Sequence, residues 1–488
     1  MSNVVEEVVL NWTDLTGAKT GATSLGSNKF YKGQILKDGA AFKVVFTYGR
    51  VGQAGQVQEV KAPTLEKAKK EFDSKINSKL KKGYQKVDLR TVADEAKKAG
   101  VKAPAPAKKV ARKSSGKFHP EVESLLELLY GSTGHAVAAG LSASSGATDS
   151  APLGNLSDKQ IDKGADLLEE IESLVGKKAP EAKKKSALLE LTNDYYSAIP
   201  RRIDHARSGG KLDLDRILIN SEQRIAEQRT FLGLLRDAFL QKEVFEEAAT
   251  QADPTQVWYD GLKCDIAFLE PKSDEYKHIK KLFDTGQSPI NSNFYGKLKL
   301  ARAWRVEQQG RKKAFDDYAT KVTAVKGATG LTPGWHGTRT ENLMGICKTG
   351  LVLPKNLPKG VQVTGRAFGL GIYHTPCWPD SGGSTKDEKG KNFTRYNGAL
   401  KSMNYSSLKG AFYFRDNTAT RGYMFLEELA LGVPELALKA CFNKPAPDKG
   451  KHYIYARAHG HQSLSNDEVV TFDENASRRT AIVEVVYK

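Results

Sequence analysis

Three separated stretches hold residues that could act together on a ligand. "WHGTR", Trp335 to Arg339, supplies the imidazole of His336. "GRAFGLGIYHT", Gly365 to Thr375, supplies the phenol of Tyr373. "NDEVVTF", Asn466 to Phe472, supplies the carboxylate of Glu468. An imidazole and a phenol can hydrogen-bond or stack on a ligand, and a carboxylate can stabilise developing positive charge or take part in proton transfer. Singly, each has an ordinary structural reading: a histidine after tryptophan in a strand usually packs, and an Asp-Glu pair usually meets solvent. Their combination and order are more specific. The glycines at 365, 369 and 371 do not fit Gly-x-Gly-x-x-Gly, and no strand-glycine-helix unit surrounds them, which argues against a Rossmann site. They read either as a turn passing under a ligand or as a simple structural turn.

The elements that must position these residues lie at the end of a chain of 488 residues, long enough for about three domains. From about Asp253, short strands such as "LKLARAWRV", "GYMFLEELALG", "HYIYARA", "EVVTF" and "AIVEVVY" alternate with glycine-rich turns, predicting a mixed, mainly antiparallel sheet. Residues 118–250 read as an all-α bundle. Its segment "NLSDKQIDKGADLLEEIESLV" opens with a capping box from Ser157 to Gln160 and lines up Ile161, Leu168, Ile171 and Val175. The interval Gly131 to Gly154, rich in Gly, Ser and Ala, reads as a loose helix or loop. Residues 1–95 form a small α+β pattern: three strands, then a helix capped by Thr64, with Leu65, Ala68, Phe72, Ile76 and Leu80 on one stripe and Gly83 at its end. Between the two lies a basic Lys/Ala/Pro linker, 96–117, which suits either a flexible tether or a segment lying along phosphates.

A formal charge of +18 favours a polyanionic partner such as nucleic acid, although it also serves solubility. The four cysteines, Cys264, Cys347, Cys377 and Cys441, are scattered, without a Cys-x-x-Cys pair, and read as thiols in a reducing compartment. The N-terminus lacks the basic start and apolar core of a signal peptide, and no run reaches the roughly 20 apolar residues of a membrane span. The expectation is a soluble intracellular protein.

With these residues in place, the chain resembles the DNA-dependent poly(ADP-ribose) polymerase family over nearly its whole length and in the same domain order. "WHGTR" resembles that family's Trp-His-Gly-Ser-Arg, "FGLGIYHT" its Phe-Gly-Lys-Gly-Ile-Tyr-Phe-Ala, "KSMNYSS" at Lys401 to Ser407 its Lys-Ser-x-Asn-Tyr, and "DEVVTFD" the strand bearing its glutamate. Residues 1–95 resemble a WGR domain, 118–250 a regulatory helical domain, and 251–488 an ADP-ribosyltransferase domain.

The resemblance implies an NAD-consuming ADP-ribosyltransferase associated with DNA, in the nucleus of a eukaryote or the cytoplasm or nucleoid of a bacterium. It implies activation by strand breaks, protein acceptors that include the enzyme itself, and no metal. Glu468 is implied as the catalytic carboxylate, with His336 and Tyr373 completing the signature. His336 and Thr338 would bind the adenosine ribose, Gly337 and Ser402 the carboxamide, and Tyr405 and Tyr373 the two faces of the nicotinamide. Tyr48 and Arg50, in "YGR" where the family has Trp-Gly-Arg, would meet nucleic acid, with a role in the small domain's own packing as the alternative for Tyr48.

Some positions depart from the family. The link "TPCWPDSGGSTKDEKGKNFTRYNGA" is longer than usual and reads as a surface insertion, Arg366, Ala367 and Leu370 stand where polymer-forming relatives have Tyr, Met and Lys, and Asn466-Asp467 replace Tyr-Asn. Polymer formation, single transfer and an inactive DNA-end scaffold are therefore the three readings, in that order.

Overall fold

The computed structural model describes residues 3–16, 26–88, 117–131, 156–177, 180–201, 203, 207–208, 211–212, 214–229, 231–233, 235, 254–296, 298–357, 365–386, 390–411, 419–458 and 464–487. The basic linker up to residue 116 and all but the first residue of the Gly131 to Gly154 interval lie outside these residues. The chain divides into two compact units, one holding the described residues up to 88 and from 156 to 235, the other 117–131 and those from 254 onward.

In the first unit, strands β1 (Asn3–Asp14), β2 (Ser27–Asp38), β3 (Ala41–Arg50), β4 (Gln56–Ala62) and β5 (Gln85–Val87) form a sheet in the order β4-β3-β2-β1-β5, antiparallel throughout. The three expected strands are β2 to β4. The long β1 and the short β5 went unassigned in the sequence. Helix α1 (Leu65–Lys81) lies on the sheet for the reason its stripe gives: Ala68, Phe72 and Ile76 are buried. Phe72 stacks on Phe46 at 6.4 Å. Gly33 of β2 leaves room for that ring, since a Cβ there would sit 2.9 Å from it. The hydroxyl of Thr64 accepts from the Lys67 amide at 3.3 Å, a cap worth about 1 kcal/mol.

Helices α2 (Asp158–Gly176) and α3 (Glu181–Ala198) form the helical part, with Ile161, Leu168 and Ile171 buried in its core. The capping box is half realised. Ser157 Oγ accepts from the Gln160 amide at 3.1 Å, but the Gln160 side chain turns away to donate to Ala198 O at 2.7 Å and accept from Asp88 N at 2.9 Å. Buried amides need partners, and these two backbone groups claimed the side chain. Asn11 of β1 likewise donates to Tyr196 O at 2.9 Å, and Thr13 N donates to Ser197 Oγ at 3.0 Å, so sheet and helices are joined by buried polar contacts.

The second unit is built on nine strands: β6 (Cys264–Phe268), β7 (Leu298–Gln308), β8 (Gly330–Gly337), β9 (Ile372–Pro376), β12 (Arg421–Leu431), β13 (Pro434–Ala437), β14 (Tyr453–Ala456), β15 (Glu468–Thr471) and β16 (Ser477–Tyr487), with the hairpin β10 (Ser384–Lys386) and β11 (Asn392–Thr394) separate. Their order is β13-β14-β15-β9-β8-β12-β16-β7-β6, and every pairing except β13 with β14 is antiparallel, as the alternation of short strands and turns anticipates. Trp335 anchors the core beneath β8, fully buried and edge-on to Phe283 at 6.3 Å. Cys264, Cys347 and Cys377 are buried free thiols and Cys441 is half-buried. No helix among the described residues is long and apolar enough to cross a membrane.

Candidate active site

The three motifs that are far apart in sequence lie on neighbouring strands. His336 is near the end of β8, Tyr373 is the second residue of β9 and Glu468 is the first of β15, and these strands lie side by side. At about 4.8 Å per strand, the three backbones span roughly 10 Å. Each is placed by local chemistry.

His336 Nδ1 lies 2.9 Å from the carbonyl of Tyr373. A carbonyl only accepts, so Nδ1 carries the hydrogen and Nε2 is left as an acceptor. Burial holds the imidazole pKa below its usual value, opposed by Glu427 and by the Tyr373 hydrogen bond. Next to it, Gly337 tolerates no side chain, since a Cβ would sit 1.8 Å from the carbonyl oxygen of Ser402. The buried Ser402 ends helix α4 (Ala399–Ser402), and its hydroxyl lies 2.7 Å from that of Thr375, which in turn donates to Trp335 O at 3.3 Å. The glycine is thus required by the close packing of β8 against the Ser402 backbone. Thr338 is buried, its hydroxyl accepting from Asn342 Nδ2 at 3.3 Å, and Tyr405 is half-buried at the end of the 3-10 turn that follows α4.

The phenol of Tyr373 is locked from both sides, donating to Gly369 O at 2.9 Å and accepting from Phe368 N at 2.8 Å. Burial raises its pKa, which keeps it a neutral donor. Gly369, at φ +99°, and Gly371 are required by packing: a Cβ on them would meet Lys444 O at 2.7 Å and Thr471 O at 2.4 Å. The glycine-rich turn thus closes on the tyrosine's own hydroxyl, which gives the glycines a structural reason.

Glu468 forms an ion pair with Lys401, both side chains about 12–13% exposed. Its neighbour Asp467 does not meet solvent. It is buried and hydrogen-bonded to Trp378, Tyr455 and the Ala458 amide. Trp378 and Asn397, within the long link after His374, are also buried, so only the middle of that link fits the expected surface insertion.

Several residues here went unassigned in the sequence. Lys401 had a signal, since it opens the "KSMNYSS" motif. A buried charged row had none, because its members come from four strands. His374 Nδ1 lies 3.3 Å from Glu427 Oε2, Glu427 Oε1 lies 3.5 Å from Arg479 Nη1, and Arg479 donates to Gln308 at 2.6 Å. Gly334, opposite Glu427 in register, is required by packing, since a Cβ there would sit 2.6 Å from Leu429. Burial, with His336 and Arg479 adding to it, holds the His374 pKa well below its usual value.

In the first unit, Tyr48 and Arg50 sit on β3. Tyr48 stacks on Tyr31 at 5.7 Å, and the Lys79 ammonium lies 4.6 Å from the Tyr31 ring, 5.9 Å from Tyr48 and 5.7 Å from Tyr84. Burial, then Lys82, Lys29 and Lys75, lower the Lys79 pKa. Tyr48 is thus part of an aromatic stack within a basic neighbourhood. Lys79 and Tyr84 are additions to the residues read from sequence.

Comparison with known proteins follows this geometry. Residues 7–90 match the WGR domain, 116–259 the poly(ADP-ribose) polymerase regulatory domain, and 273–484 the poly(ADP-ribose) polymerase catalytic domain. The chain is 26% identical to human poly [ADP-ribose] polymerase 2 over 92% of its own length and 69% of that protein's. It is 26% identical to human protein mono-ADP-ribosyltransferase PARP3, covering 92% of the chain and 77% of the relative. Against rice poly [ADP-ribose] polymerase 2-A the identity is 24%, with 91% and 61% covered.

Proposed function

Because the chain belongs to the poly(ADP-ribose) polymerase family and is an NAD-dependent ADP-ribosyltransferase, we propose that broken DNA activates it and that it modifies protein acceptors, itself included. The observation that carries the site assignment is the convergence of His336, Tyr373 and Glu468 on three adjacent strands.

The substrate's demands match these residues. The amide of nicotinamide needs one acceptor and one donor in a plane, which the Gly337 backbone supplies, with the Ser402 hydroxyl beside it. Glycine is required here by packing, since a Cβ would meet the Ser402 carbonyl, and that packing brings the two residues' backbones together. Tyr373 and Tyr405 flank the ring. The acceptor nitrogen of His336 and the hydroxyl of Thr338 serve the adenosine ribose. When the C–N bond to ribose breaks, its electron pair returns to the pyridinium and neutral nicotinamide leaves. Positive charge grows on the sugar, where the Glu468 carboxylate stabilises it. Glu468 also holds the ribose 2′-hydroxyl and orients the acceptor, whose oxygen attacks the anomeric carbon and loses its proton to solvent. Lys401 restrains the carboxylate for this task. None of these roles calls for a metal ion.

On the nucleic-acid side, Tyr48, Arg50 and the lysines around Lys79 would meet the backbone of a DNA end, in an intracellular, DNA-associated protein. Polymer formation is the leading product and single transfer the second reading, favoured by Arg366, Ala367 and Leu370. The deciding experiment incubates the full chain with labelled NAD, with and without nicked or blunt-ended duplex. Nicotinamide release that rises with broken DNA, together with a high-mass smear, is expected. A discrete shifted band means single transfer, and no release under any condition means a scaffold.

A further inference from the structure

We infer that the long link between the Tyr373 strand and the Lys401 helix is a positioning element for Glu468, acting through Asp467. This rests on the role given to Glu468 above. Asp467 is 2% exposed, yet both its oxygens are engaged. Oδ2 accepts from Trp378 Nε1 at 2.8 Å and from the Tyr455 hydroxyl at 2.6 Å, while Oδ1 accepts from Ala458 N at 3.0 Å. Arg395 completes the set: its Nε lies 3.9 Å from Asp467 Oδ2, its guanidinium lies 5.1 Å over the Trp378 ring, and its Nη1 pairs with Asp380 at 3.1 Å. Trp378, Asp380 and Arg395 all belong to the link.

A buried carboxylate is costly unless fully hydrogen-bonded and faced by positive charge, and here it has both. Successive residues of an extended chain point to opposite sides, so fixing the side chain of Asp467 fixes the backbone from which Glu468 projects the other way. The charge matters as well as the shape. An asparagine has one accepting oxygen, so its NH2 would face either the Ala458 amide or the Trp378 and Tyr455 donors, opposing hydrogen to hydrogen. Asp467 stands where the family segment has asparagine, and the link that clasps it is the part of the chain longer than the family's. Burial and Asp467 raise the Tyr455 pKa, which keeps that hydroxyl a donor.

The test is a double-mutant comparison on the full chain, reading nicotinamide release from NAD in the presence of broken duplex. Trp378→Phe deletes one donor and keeps the ring, Asp467→Asn opposes one donor, and Arg395→Ala removes the facing positive charge, whose side chain is 23% exposed. The first two are expected to lower kcat about tenfold, with KM for NAD unchanged within about twofold. In a Glu468→Gln background the same substitutions should change the residual rate by less than about twofold, because the group they position is already disabled. Equal losses in both backgrounds, or an unchanged kcat in all three variants, would overturn the inference while leaving the function standing. A wild-type chain that releases no nicotinamide would remove both.

Discussion

The nine-stranded sheet and the five-stranded sheet each gather charged and aromatic side chains, but by different means. In the former, every key group is tied to a second group: His336 to a carbonyl, Tyr373 to two backbone groups, Ser402 to Thr375, Glu468 to Lys401. In the latter, Lys79 is held over three tyrosines by packing and charge, and its neighbours are lysines that repel it. Bond-breaking needs atoms placed within tenths of an ångström, whereas a polyanion needs charge density and tolerates some play. The difference predicts steep, site-specific losses in one region and shallow, salt-sensitive ones in the other.

The sharpest break in that contrast would come from Glu468→Gln. Turnover should fall by about 10²–10⁴-fold while NAD binding changes little, checked by single-turnover nicotinamide release beside equilibrium titration. Gly337→Ala should follow. With its Cβ 1.8 Å from the Ser402 carbonyl, the added methyl must displace backbone, and a rise of about tenfold or more in KM for NAD is expected. An unchanged KM would show that this backbone does not hold the amide. On the other sheet, Lys79→Ala should weaken duplex binding only a few-fold, uniformly across sequences, and lower the salt slope by about 1, measured by anisotropy over a salt series. A large sequence-dependent loss would make that surface as exacting as the catalytic one.

The smallest effect concerns pH. His336 and His374 are held below their usual pKa of 6.5 when folded, so below that value the unfolded chain binds more protons and stability falls as pH drops. The thermal midpoint of the transferase unit should therefore decline from pH 7 toward 5.5. His374→Phe should flatten the decline, and an unaltered slope would mean the row beneath His336 does not titrate on unfolding.

Legibility in the sequence followed the same divide. The placement of His336, Tyr373 and Glu468 on adjacent strands, and of Gly337 against Ser402, could be anticipated because each sits in a short contiguous motif, and helix α1 because its apolar stripe has one period. Strand β1 escaped because its stretch "NVVEEVVLNWTD" mixes acids with valines and is buried at every position from Val9 to Asp14, polar residues included, so it lacks clean alternation. The row from His374 to Gln308 could not be read from any window, since only strand order brings its members together. Asp467 looked like a solvent carboxylate because the donors that bury it lie 9, 12 and 89 residues away.

The missing side chain at position 337 also bears on how the proposed site can evolve. On the proposed assignment, recognition runs through peptide N–H and C=O, which every amino acid carries, so a substitution at 337 can weaken the hold on an amide but not redirect it, and a planar amide that imitates the leaving group would meet the same groups. Variants selected to refuse such a mimic should carry their changes in the hydroxyl pair Ser402 and Thr375 or in the flanking rings, and pay for them in their hold on NAD itself.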